Sequence, residues 1–368
     1  MKLADVCAVE KQVHDGSPLP YVGLEDIESS TGRYLGDFEP KTVQSNSFRF
    51  TPEHLLYGRL RPYLNKLITP EFTGHCSTEI FPIRPSEQLD RKFLFYWLSM
   101  QQTVDQIDGT CTGARMPRAN MNEVMDFEFL APSLPEQKRI VAILDEAFAG
   151  IAAATANAEK NLANARELFD KCLEAAFLDF GDGWIESRFG DCFRLRSGDG
   201  LTSKDMLDGP YPVFGGNGIA GTHSHFNLSG NNVIIGRVGA LCGNVRNIKE
   251  DIWLTDNAFK IVDYQHEFDN AFLTYLLNFK DLRSYARQTA QPVISNSSLK
   301  DVLLQFPRSL ADQRHIAVRL DALSDKIEQL ESVVQKKIST LAELKQAILQ
   351  KAFSGELTGI KTRHCEAA

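Results

Sequence analysis

The residues best equipped for chemistry in this chain are cations and amides set in polar loops. Arg59, Arg61 and Lys66 lie close together, and Arg237 and Arg246 occupy a stretch in which Gly236-Arg237 repeats Gly58-Arg59. A second polar run holds Arg115, Arg118 and Asn120. Its counterpart holds Gln288, Gln291, Asn296 and Ser297, and Asn217 sits inside a glycine-rich loop. Arginine pairs with guanine edges, while asparagine and glutamine pair bidentately with adenine, so these loops are suited to a DNA major groove. The arginines suit phosphates as well, and phosphate contacts orient a protein without conveying sequence.

Other chemistries have less support. Residues 216–221, GNGIAG, spell the dinucleotide fingerprint G-x-G-x-x-G. That motif needs a helix opening at its third glycine to receive a pyrophosphate. THSHFNLSG follows instead, a β-like run and then a turn. A nucleotide-binding enzyme using this loop is therefore the weaker alternative. His223 and His225 lack a carboxylate or cysteine cluster at ligand spacing, so no metal is expected. The chain has no phosphate-loop lysine motif, no adenine-methyltransferase Asn/Asp-Pro-Pro-aromatic motif and no nucleophile elbow. No catalytic residue is expected, and by itself the chain is not an enzyme.

These loops need scaffolds, and composition says what kind. The 368 residues suit two or three domains, and 43% hydrophobic residues suffice for real cores. No run approaches the roughly 20 continuous apolar residues of a membrane span. The start, MKLADVCAVEKQ, lacks a signal-peptide layout. Seven scattered cysteines without a C-x-x-C pair suit free thiols in a reducing cytoplasm. The net charge of −8 counts against nucleic-acid binding, so local patches or partner chains must supply positive field.

The chain is built twice. Residues 134–177 align without a gap on 310–353, sharing Leu134/Leu310, Gln137/Gln313, Ile140/Ile316, Leu144/Leu320, Asp145/Asp321, Leu168/Leu344 and Phe177/Phe353. Ser133 with Glu136, and Ser309 with Asp312, are helix-start signals; Gly181 and Gly355 close the runs. In the second copy Ile316, Leu320, Leu323, Ile327, Leu330, Val334, Ile338, Leu341, Leu344 and Ile348 step by threes and fours. In the first, alanines lie between Ile140, Leu144, Ile151 and Leu162. Seams sustained this long ask for a partner helix, and a small-residue ridge against a bulky one lets backbones approach. The two helices are expected to pack on each other, antiparallel. The preceding segments repeat more faintly: FLFYWL (93–98) matches FLTYLL (272–277), and Asn120 falls opposite Asn296.

The fold class is therefore α+β, a pseudo-two-fold tandem repeat of two globular domains, each a twisted sheet plus helices, separated by two long coiled-coil-like helices. The expected boundaries are domain 1 at 1–133, helix 1 at 134–180, domain 2 at 181–309, helix 2 at 310–357 and a tail at 358–368. The helices stayed alike, so their task is common; the domains drifted, so each should recognise something different.

LPEQKRIVAILD at 134–145, AFSGELTG at 352–359 and YPVFGGNGIAG at 211–221 together resemble the DNA-specificity subunits of type I restriction-modification systems. The resemblance implies that each globular domain is a target recognition domain reading one half of a bipartite, asymmetric double-stranded DNA site. It implies helices that fix the gap and dock two methyltransferase subunits, with restriction/translocase subunits joining for cleavage. S-adenosylmethionine, ATP and Mg ions would then belong to those partners, with no cofactor in this chain and no membrane partner. A subunit of a methylation-only or fused restriction system is the alternative within the family, and a coiled-coil scaffold without a reader is the alternative outside it.

Overall fold

The computed structural model describes residues 1–113, 115–178, 181, 183–287 and 292–357. Gln288, Gln291 and the tail at 358–368 lie outside the described residues. The chain divides into two compact units: Met1–Ala158 with the chain from Gln335 onward, and Glu159–Val334. These units cut through both long helices, Leu134–Leu178 and Leu310–Phe353, instead of parting at their ends. Burial explains the division. Ile140, Val141 and Leu144 share a core with Leu349 and Ala352 and with Leu3, Phe93 and Phe129 of the first globular domain. Phe177 of the first helix shares a core with Ala317 and Leu320 of the second and with Phe272 and Phe306 of the other domain. Each unit thus owns a globular domain, the opening half of one helix and the closing half of the other.

In both units the helix halves run antiparallel. Lys345 lies 5.3 Å from the Phe148 ring centre in the first unit. Arg166 is ion-paired with Glu331 in the second, where Cys172 and Ala176 line one hollow with Leu320 and Leu323. The seam follows the apolar spacing. Ile140, Leu144, Leu320 and Val334 are buried, and Ile151, Leu162, Ile316, Leu323, Ile327, Leu330, Ile338 and Leu341 are half-buried. Leu344 departs from the expected seam, being 46% exposed, as its repeat partner Leu168 is at 59%. Leu134–Leu178 contains an 18-residue window of mean hydropathy 1.4, long and apolar enough for a membrane span by length and composition, although Asp145 and Glu146 interrupt its apolar run.

Each globular domain is built around the same sheet. In the first unit the spatial order is Cys7–Val9, Ile80–Pro85, Leu55–Gly58, Leu67–Ile68, all antiparallel. In the second it is Arg194–Ser197, Ala258–Val262, Asn232–Gly236, Val245–Ile248, with the same pairing. Even the register coincides: Tyr57 is opposite Phe81 and Leu67, and Ile235 is opposite Phe259 and Val245. The central strands are continuous apolar runs because both faces are covered. Leu55 and Tyr57 enter the core shared with the long helices, and Leu56 enters a second core. Val233 and Ile235, with Ile234 opposed, repeat that division.

The domains diverge over the second core. The first covers it with Tyr21–Val22, Gly74–Ser77 and Ser47–Phe50, and the second with Gly218–His223, Tyr211–Gly215 and Trp253–Leu254. GNGIAG therefore lies in a β-hairpin that no helix follows, contrary to the geometry a dinucleotide requires. Its glycines serve close packing: a Cβ on Gly216 would fall 2.1 Å from the Val238 carbonyl oxygen, and Gly218 has φ +108°.

Candidate nucleic-acid interface

At the end of each central strand the chain leaves the sheet through a loop that is stitched to a second loop. In the first unit Gly58 N–H donates to Lys66 O at 2.8 Å, closing the loop 59–66. Arg61 N–H then donates to Pro117 O at 2.8 Å, and Ala119 N–H to Arg59 O at 2.9 Å, which ties in residues 110–120. The second unit repeats these bonds: Gly236 to Asn244 at 2.9 Å, Gly239 to Pro292 at 3.3 Å, and Ile294 to Arg237 at 3.0 Å. This pattern sets Asn120 opposite Ser295, correcting the alignment of Asn120 with Asn296 by one position. Both are helix N-caps, accepting from Asn122 N–H and Ser298 N–H respectively.

The loops do not hold their cations equally free. Arg118 grips Glu79 through Nε and Nη2 at 2.8–3.1 Å, and Arg59 Nε reaches the same carboxylate at 3.2 Å while lying over the Phe81 ring. The Arg118 hydrogen bonds, helped by the Arg59 charge, hold the Glu79 carboxyl below its ordinary range despite partial burial. Lys66 Nζ donates to Leu24 O at 2.7 Å, and Asn120 is occupied as a cap. Arg61 and Arg115 are exposed, with no hydrogen bond or ion pair from their side chains to other described residues. Neither 59–66 nor 110–120 contains an acidic residue, so with Glu79 occupied by Arg59 and Arg118 the cations these loops leave exposed are Arg61 and Arg115.

In the second unit Arg237 covers the Phe259 ring as Arg59 covers Phe81, and its Nη1 donates to Asp256 O at 3.1 Å. Its Nε is buried with no hydrogen-bond partner among the described residues. Arg246 is half-buried in the strand Val245–Ile248, its guanidinium 3.2–3.5 Å from where a Cβ on Gly218 would stand. Asn217 is exposed, and its Oδ1 accepts from Leu241 N–H at 3.0 Å. Asn296 bonds Leu195 in both directions at 2.9 Å, and Ser297 Oγ lies 2.9 Å from Ser295 Oγ. Asn296 thus ties its short helix to a strand and stands apart from the loop pair. The loops also expose Tyr63, Met116 and Leu241, which residue-type reasoning passed over because it looked for cations and amides.

Sequence reasoning also missed the residues that position these domains. Gln137 is fully buried: its Oε1 accepts from Asp90 N–H at 2.7 Å, and its Nε2 donates to Gln88 O and Pro132 O at 2.9 Å. Gln313 makes the matching set with Asp269, Glu267 and Pro307 at 2.9–3.2 Å. Tyr96 donates to Asp145, and Tyr275 to Asp321 at 2.8 Å. These were visible as residues shared between the repeats. His223 is a structural residue, accepting from Leu207 N–H at 3.1 Å and meeting Trp253 edge-on. No group of three His, Cys, Asp or Glu side chains is disposed to hold a metal among the described residues.

Fold and loops together define a duplicated binding protein, with two like scaffolds presenting unlike side chains. The type I restriction modification DNA specificity domain matches residues 62–162 and 181–339, more than half of the sequence, and the chain belongs to that family. Its role is that of a DNA-specificity subunit. It is 29% identical over 351 residues to the type I restriction enzyme EcoprrI specificity subunit of Escherichia coli, covering 90% of this chain and 86% of that one. A solved chain from a study of complex assembly and conformational transition in the type I restriction-modification system superposes with a TM-score of 0.82 at 21% identity, covering 97% of each. The HsdS subunit of Thermoanaerobacter tengcongensis superposes with a TM-score of 0.60 at 21% identity, over 97% of this chain and 96% of that one.

Proposed function

We propose that each globular domain reads one half of a bipartite, asymmetric DNA site, and that the long helices set the gap and dock two methyltransferase subunits. Restriction/translocase subunits join for cleavage in the same cytoplasmic assembly. S-adenosylmethionine serves the methyltransferase subunits, and ATP and Mg ions serve the translocase; this chain contributes recognition and spacing. The observation that carries the reading is the loop pair: one hydrogen-bond scheme built twice, bearing Arg61 and Tyr63 in one domain and Gly239 and Leu241 in the other. A common frame with unlike contacts is what two different half-sites require.

Docking on the helices is supported by Leu168 and Leu344, equivalent positions that both stay exposed. These leucines, retained at one exposed position of both copies and unused by the seam, are the apolar contacts such a subunit would cover on each helix. The direct test exchanges residues 1–133 for the first domain of another family member and maps the methylated adenines. One half-site should change and the other persist. Retention of both original halves would mean that residues 181–309 read the whole target.

A further inference from the structure

Resting on that two-reader proposal, the geometry points to Arg61 and Asn217 as the base-reading side chains of the two domains, placed at one shared station of the duplicated scaffold. Arg61 takes a guanine edge in the first half-site, and Asn217 takes an adenine in the second.

Arg61 has φ +52°, in the left-handed region that L side chains rarely adopt, and a proline follows it, which restricts it further. Its backbone N–H is fixed on Pro117 O. The structurally equivalent residue is Gly239, fixed on Pro292 O, with φ +96°. The fold thus demands this conformation in both domains, and glycine is its ordinary occupant. Placing an exposed arginine there is a local departure of the kind that marks functional positions. Arg59, Arg118 and Lys66 are all engaged internally, so Arg61 is the cation that the loop 59–66 presents outward.

In the second domain the station is not vacant. A Cβ built on Gly239 would stand 2.6 Å from Asn217 Oδ1, 2.9 Å from its Nδ2 and 3.1 Å from its Cγ. The Asn217 amide therefore occupies the space into which the Arg61 side chain sets out in the first domain. The hairpin carrying GNGIAG delivers it there, and the Leu241 N–H bond orients it. This leaves Nδ2 and a second Oδ1 lone pair for the bidentate pairing that asparagine makes with adenine. The glycine run thus gains a role: it lets an amide reach a position held elsewhere by an arginine.

The test uses the full chain assembled with its methyltransferase subunits, acting on a DNA library randomised across the target. Arg61→Gly should lose discrimination about 10- to 100-fold at one base pair of one half-site. Asn217→Ala should do the same at one base pair of the other half. Arg61→Gly should unfold at no lower temperature than the native chain, since glycine is at ease in this conformation, so the loss cannot be put down to misfolding. Gly239→Ala, which pushes the Asn217 amide aside, should match Asn217→Ala. Unchanged discrimination in both variants would overturn the assignment, as would uniform weakening on every sequence with a shallower salt dependence, the mark of a phosphate contact. If the exchange of residues 1–133 still switched one half-site, only this inference would fall; if it did not, the two-reader proposal would fall with it.

Discussion

Gln137 Oε1 accepts the backbone N–H of Asp90 at 2.7 Å, tying the first turn of the long helix to the start of the helix Arg91–Leu98. The glutamine is fully buried and uses both amide hydrogens on carbonyls, so it stands at a joint where no water is needed to complete the bonding. Gln313 makes the same joint in the second unit. Each domain is thus tied to its helix by a buried amide beside the Tyr96–Asp145 or Tyr275–Asp321 hydrogen bond.

Gln137→Ala should accordingly cost about 1–3 kcal/mol, since it leaves a partly buried N–H and two carbonyls without this partner. Denaturant unfolding measures this, and Gln313→Ala should behave alike. A loss below about 0.5 kcal/mol would place the joint elsewhere.

The Glu79 cluster predicts a pH signature. Its folded carboxyl titrates below the ordinary glutamate range, so it stabilises the fold above that range and ceases to as pH falls through the lowered value. Glu79→Gln should therefore be less stable than the native chain at pH 7, by about 1–2 kcal/mol. The gap should narrow as the solution is acidified below about pH 4.3. A gap independent of pH would show that shape and not charge holds Arg59 and Arg118.

Leu168→Asp combined with Leu344→Asp should leave thermal unfolding nearly unchanged, since both side chains are exposed. Assembly with the methyltransferase subunits, read by size-exclusion chromatography, should weaken sharply. By contrast Leu320→Ala, removing a buried side chain, should cost about 2–4 kcal/mol of stability. A full complex from the double aspartate variant would contradict docking at these positions.

The helices were legible in the sequence because their signal is local: apolar steps of three and four over some 45 residues, stated twice. The site was only partly so. Arg59 and Arg118 could be named as cations, but Glu79, which occupies both, is 20 and 39 residues away in the sequence and reaches them only through sheet pairing. Asn120 was matched one position off because the second domain has one residue more than the first between this cap and its long helix, Ser295 to Leu310 against Asn120 to Leu134. Asn217 meets the vicinity of Gly239 through a hairpin with no counterpart in the first domain, a juxtaposition that no spacing rule anticipates.

If the helices set the gap, inserting four residues after Ala158 and four after Val334 should lengthen both by roughly 6 Å, with a rotation of about 40° across the added turn. At about 3.4 Å per base pair the gap should widen by one or two pairs, with the bases read in each half unchanged. An active enzyme with an unaltered gap would remove the helices from that role.

The central claim is that two unlike readers share one scaffold, and mapping of methylated adenines in DNA modified by the intact complex tests it most directly. The account predicts two unrelated short sequences separated by a fixed stretch of unspecified bases, with one methylated adenine in each. A continuous palindrome, or two identical half-sites, would contradict it.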